Sequence, residues 1–134
     1  MTDKDLIQSY LNTALYEIPI RAKPKPRMTK GDTWKKRPVI TKYWEYKDLL
    51  KSLVAKTPWQ PTDTIRLIFV LEPAATLSKK KKEALYYTPH QQKPDTDNLV
   101  KAFKDCLYEK DETVWCDEAI KIYGPENKII ICSQ

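Results

Sequence analysis

The stretch TIRLIFVL at residues 64–71 constrains the fold more than any other part of the chain. A strand with one wet face alternates apolar and polar side chains. A nearly unbroken apolar, β-branched run is instead expected of a central strand covered on both faces. The rest of the chain must therefore supply both neighbouring strands and the layers that cover them.

The remaining segments sort around that strand. Residues 14–20, ALYEIPI, are strand-like and end at a proline. They lead into a basic, proline-rich stretch over residues 21–38, where Pro24, Pro26 and Pro38 rule out a continuous helix and predict an extended loop. Over residues 39–56, Tyr43, Tyr46, Leu50, Leu53 and Val54 recur near helical spacing until Pro58 stops the run. Ser78 is a suitable cap for a short basic helix over residues 78–88. From Asp97 to about Tyr108 a further helix places Leu99, Phe103, Cys106 and Leu107 on one face. Strands are predicted over residues 114–123 and 128–132, joined by a turn at Gly124 and Pro125. This order predicts an α/β fold, with a mixed β-sheet packed against helices in a single domain over residues 1–134.

Composition removes several functions. Two glycines leave no glycine-rich phosphate loop, which argues against P-loop hydrolysis and dinucleotide binding. Cys106, Cys116 and Cys132 lack zinc-ligand spacing, are odd in number and sit in apolar segments, so they read as small core residues. No apolar run is long enough to cross a bilayer, and MTDKDLIQSY lacks the pattern of a signal peptide. A soluble, cytoplasmic protein is expected. The net charge of +6 suits a polyanionic partner.

The chemistry concentrates in QKPDTDNLVKAFKDCLY, residues 92–108. An aspartate before a helix is ordinarily a cap for the orphan amides of the first turn. That accounts for Asp97 and leaves Asp95 unexplained. Two acids beside a helix N-terminus are easier to understand if a cation sits among them. An EF-hand loop starting at Asp95 fails, because Leu99, Val100 and Cys106 stand where an oxygen ligand, a glycine and a glutamate are needed. Lys101 follows Asp97 by one helical turn, suited either to a scissile phosphate or to pairing with Asp97. A Mg²⁺ site usually wants another carboxylate. Asp111 is one candidate, and Glu112, Asp117 and Glu118 compete with it. Glu118 shares strand parity with apolar neighbours, which a bulge or a sheet edge explains best. His90, without a visible partner, reads as a surface histidine, and the run from Lys79 to Lys82 as a solvated face unless a phosphate backbone lies nearby.

KPDTDNLVK, residues 93–101, resembles the KPDxDNLxK signature of RusA-type Holliday-junction resolvases, small Mg²⁺-dependent endonucleases common in phages and prophages. The similarity continues through KPRMTKGDTWKKRPVITKYWEYKD and SKKKK upstream, and through YEKDETVW and KIYG downstream. It implies that Asp95 and Asp97 are paired metal ligands and that Lys101 is the helix lysine required for cleavage. The family's third acid closes an Asp-Asp pair before a strand. One register puts that pair at Lys110 and Asp111, making Asp111 the third ligand; another puts it at Asp117 and Glu118. The resemblance further implies a homodimer nicking four-way DNA junctions in pairs, with Mg²⁺ as cofactor and Mn²⁺ as a substitute. Lys23, Lys25, Arg27, Lys35, Lys36, Arg37, Lys79 and Lys80 are then expected to hold the junction arms by their phosphates. The rival readings are a catalytically inactive DNA-binding module and a nuclease for other branched nucleic acids.

Overall fold

A computed structural model describes residues 2–27 and 38–134 of the chain. Its elements, in order, are α1 (Asp3–Leu11), β1 (Ala14–Ile18), α2 (Pro38–Ala55), β2 (Thr64–Leu71), α3 (Lys79–Leu85), α4 (Thr96–Leu107), a 3₁₀ turn (Asp111–Thr113), β3 (Cys116–Tyr123) and β4 (Lys128–Cys132). The sheet runs β1-β4-β2-β3, with β2 antiparallel to β4 and parallel to β3. The expected α/β class with a mixed sheet is what the structure has.

TIRLIFVL is β2, flanked on both sides and buried on both faces. Its Ile65, Leu67 and Phe69 pack with α2 and α4 in the larger core, and its Ile68 and Val70 turn to a smaller core with Ile7 and Tyr10 of α1. Strand alternation thus divides one apolar run between two layers. A parallel partner requires a crossover, and the chain from α3 through α4 supplies it. The helix predicted over residues 39–56 is α2, whose buried face is Ile40, Tyr43, Tyr46, Leu50 and Val54. The amphipathic run after Asp95 is α4, burying Leu99, Val100, Ala102, Phe103 and Cys106.

Several expectations need adjustment. The stretch MTDKDLIQSY, for which the sequence predicts no element, carries α1. Thr2 and Asp5 close a capping box there, satisfying orphan amides of the first turn from both sides. The strand expected over residues 14–20 stops at Ile18. The helix expected from Asp97 starts at Thr96. The strand expected from Val114 starts at Cys116, because the 3₁₀ turn and its exit occupy the preceding residues. Cys106 and Cys132 are buried as expected, whereas Cys116 is only half-buried.

β3 is an edge strand, and residues after α3 cover part of that edge. Tyr87 turns through the left-handed region at φ 63°, its N–H donating to the Tyr123 carbonyl at 2.8 Å, and the His90 N–H donates to the Lys121 carbonyl at 2.9 Å. The same segment leads to Lys93–Pro94, whose peptide bond is cis, and so delivers the chain to the mouth of α4. None of the described helices is long and apolar enough to cross a membrane.

Candidate active site at the mouth of α4

Asp95 occupies the N-cap position of α4, and its carboxylate makes no capping hydrogen bond. Asp97 lies within the first turn. The contrast with the other caps is informative. Thr2 and Ser78 each accept a backbone N–H through the side chain, from Asp5 and from Lys81. The acids of α4 therefore differ from ordinary caps: both are exposed and stand at the positive end of a helix dipole. The capping role expected for Asp97 does not occur.

Lys121 of β3 reaches back to this segment. Its ammonium donates to the carbonyls of Gln92 and Pro94, the latter at 2.6 Å, and so ties the approach to Asp95 onto the sheet. Burial lowers the Lys121 pKa, and the nearby charge of Asp95 works in the opposite direction. No motif in the sequence marks Lys121 for this site. Its alternation with Asp117 and Ala119, which puts all three on the α4 side of the strand, is the signal that could have marked it.

Two open cavities flank the mouth. One, of about 400 Å³, is lined by Arg21, Lys23, Pro24, Lys93, Pro94 and Asp95. The other, of about 360 Å³, is lined by Thr96, Asp97, Lys101, Lys104, Asp117 and Ala119. Lys101 thus shares a cavity with Asp97, one turn along the helix, while Lys104 pairs with Asp117 at 3.0 Å. Arg21, Lys93, Lys104 and Lys121 are additions that sequence reasoning did not single out for this site.

The candidate third acids separate. Asp111 stands in the 3₁₀ turn after α4, whose last residue, Leu107, is about 15 Å along the axis from Asp97 at 1.5 Å per residue. Asp111 lines neither of the two cavities at the mouth. Glu118 points to the opposite face of β3, where it pairs with Arg66, whose guanidinium lies 3.7 Å from the centre of the Tyr10 ring. A half-buried cation beneath α1 explains this acid on an apolar face, together with the expected position at a sheet edge. Asp117 is the one of the three that shares a cavity with Asp97. Among the described residues, no three Asp, Glu, His or Cys side chains gather closely enough to enclose a metal ion. In kind, the exposed carboxylates are the hard oxygen donors that suit Mg²⁺, which keeps several waters and takes substrate phosphate into its shell.

The predicted phosphate contacts are spread out. Lys23 lines the cavity beside Asp95. Lys25 pairs with Asp105 at 3.4 Å, Arg27 is exposed, and Lys35, Lys36 and Arg37 lie outside the described residues. Lys79 and Lys80 are exposed in the first turn of α3, where cations oppose the helix dipole. Helix stability therefore does not account for that run. His90 is half-buried against Tyr123, with ring centres 4.6 Å apart. Burial and the nearby Lys121 lower its pKa.

A family model described as Endodeoxyribonuclease RusA matches residues 17–131. Searches of curated proteins and of solved structures return no match. The matched span takes in both cavities at the mouth of α4 and leaves α1 outside.

Proposed function

We propose that this chain, which belongs to the RusA endodeoxyribonuclease family, resolves four-way DNA junctions as a homodimer, hydrolysing one phosphodiester bond per subunit in paired symmetric nicks. The observation that carries the reading is the pair Asp95 and Asp97, both exposed at the positive end of α4 without a side-chain capping bond from Asp95. Asp95 and Asp97 would hold Mg²⁺, with Mn²⁺ as a substitute. When bound, the ion supplies Lewis-acid stabilisation of the phosphate and acidifies the attacking water.

The chain's own groups do the rest. The N-terminus of α4 favours an anionic phosphate, and the Lys101 ammonium stabilises charge that builds on it in the transition state. Lys121 holds the segment that carries Asp95. Arg21, Lys23 and Lys93 meet phosphates on one flank of the mouth, and Lys79, Lys80, Arg27 and the cations of residues 35–37 meet those of the arms. For the third carboxylate, geometry favours Asp117 over Asp111 and Glu118, because only Asp117 lines the cavity of Asp97 and Lys101.

Cleavage of a synthetic four-way junction, with and without Mg²⁺, tests this reading. Asp97→Asn should lower the rate about 100-fold or more while junction binding stays within about twofold. Asp117→Asn should behave similarly, and Asp111→Asn should cleave like the wild type. Full cleavage by Asp97→Asn would sink the assignment. Binding without cleavage by the wild type would favour an inactive DNA-binding module, and preference for forks or flaps would favour a nuclease of other branched substrates.

A further inference from the structure

Trp115 is 75% exposed, more than any other large apolar side chain among the described residues. It is nonetheless held in place. Its backbone N–H donates to the Asp63 carbonyl at 3.0 Å, and its indole Nε1–H donates to Asp63 Oδ2, also at 3.0 Å. These bonds lie just before the Thr64–Cys116 pair with which the β2–β3 ladder begins. The indole is thus anchored by its edge while the ring remains open to water. A side chain needed only for packing would be expected to bury that surface.

Its position gives the exposure a use. Trp115 immediately precedes β3 and stands two residues before Asp117, within about 7 Å of it along the chain. It therefore neighbours Asp117, which lines the cavity of Asp97, Lys101 and Lys104, and lies at the opposite end of β3 from Lys121 and the approach to Asp95. A nucleic-acid strand whose phosphates follow those lysines past Asp117 would pass beside the indole. Aromatic rings bind unpaired bases of any sequence through their π-faces, whereas duplex bases are already stacked on one another.

We infer that Trp115 is a stacking platform for a nucleobase displaced from its stack at the branch point, giving the site a preference for branched over linear DNA. The inference rests on the proposed action on branched DNA and adds a binding contact outside the carboxylate and lysine machinery.

The test is equilibrium binding, without Mg²⁺, of the full chain to a four-way junction and to a linear duplex of the same arm sequence. Trp115→Ala should lose about tenfold in junction affinity and little in duplex affinity. Trp115→Phe should keep most of the junction affinity, and Trp115→Leu should not. Leucine as effective as phenylalanine would overturn stacking in favour of a plain apolar contact. A Trp115→Ala variant with wild-type junction affinity would overturn the inference and leave the proposed function standing. Failure of the wild type to prefer the junction over the duplex would overturn both. Melting temperatures of all three variants establish that they fold, and should Trp115→Ala not fold, the comparison of phenylalanine with leucine decides.

Discussion

At the scale of single residues, Asp105 shows how charge holds the region behind the site together. It accepts from the Tyr43 hydroxyl at 2.8 Å and pairs with Lys47 at 3.1 Å and Lys25 at 3.4 Å, joining α4 to α2 and to the basic segment. Burial alone would raise its pKa. The Tyr43 hydroxyl and the Lys47 ammonium outweigh that and hold it below the ordinary 3.8. A lowered folded-state pKa means that the native chain releases this proton more readily than the unfolded one. The associated stability is fully present above pH 3.8 and is lost as the pH falls through the lowered value. Asp105→Asn should therefore cost about 1–3 kcal/mol near neutral pH, through weaker pairing with both lysines. Melting curves over a pH series should show the gap to the wild type closing only below the ordinary carboxylate range. The Tyr43 pKa moves upward for matching reasons, first burial and then the bond to Asp105. From the sequence, Asp105 was visible only as a residue off the apolar face of its helix. Tyr43 and Lys25 are 62 and 80 residues away from it, and no local pattern announces them.

Elements show a different balance. β2, α2 and α4 were legible because each repeats its signal: an unbroken apolar run, or apolar residues at helical spacing. α1 was passed over because it is short and buries only Ile7 and Tyr10. The local signal available was Thr2 followed three residues later by Asp5, the two halves of its capping box. The turn between β3 and β4 was read correctly at Gly124, but the reason for glycine there is tertiary. Its N–H donates to the Leu71 carbonyl at 3.0 Å, and a Cβ at this position would run into Cγ1 of Val70 in the neighbouring strand. Gly124→Ala should destabilise the chain by about 1–3 kcal/mol, through overpacking between two strands. Thermal unfolding should show a drop of several degrees, and an unchanged melting temperature would mean that β2 yields without cost.

For the whole molecule, the governing quantity is the distribution of charge around the mouth of α4. Arg21, Lys23, Lys93 and Lys101 line the cavities there, whereas Lys104 is offset by Asp117. If each of those four neutralises one phosphate, log affinity for DNA should fall with log salt at a slope of about −3.6 or steeper. Lys101→Ala should reduce that slope by about one, and binding measured across a salt titration checks both. The sequence by itself determined the α/β class, the identity of β2 and the presence of Asp95, Asp97 and Lys101 at one helix mouth. Those features arise from periodicity and spacing within a short stretch of chain, which local sterics translate directly into structure. Only the tertiary structure put Asp117 beside the cavity of Asp97, turned Glu118 to Arg66, brought Lys121 back to the loop before α4 and tied Trp115 to Asp63. Each depends on how β3 lies against α4 and β2, and that register is set by packing between segments far apart in sequence.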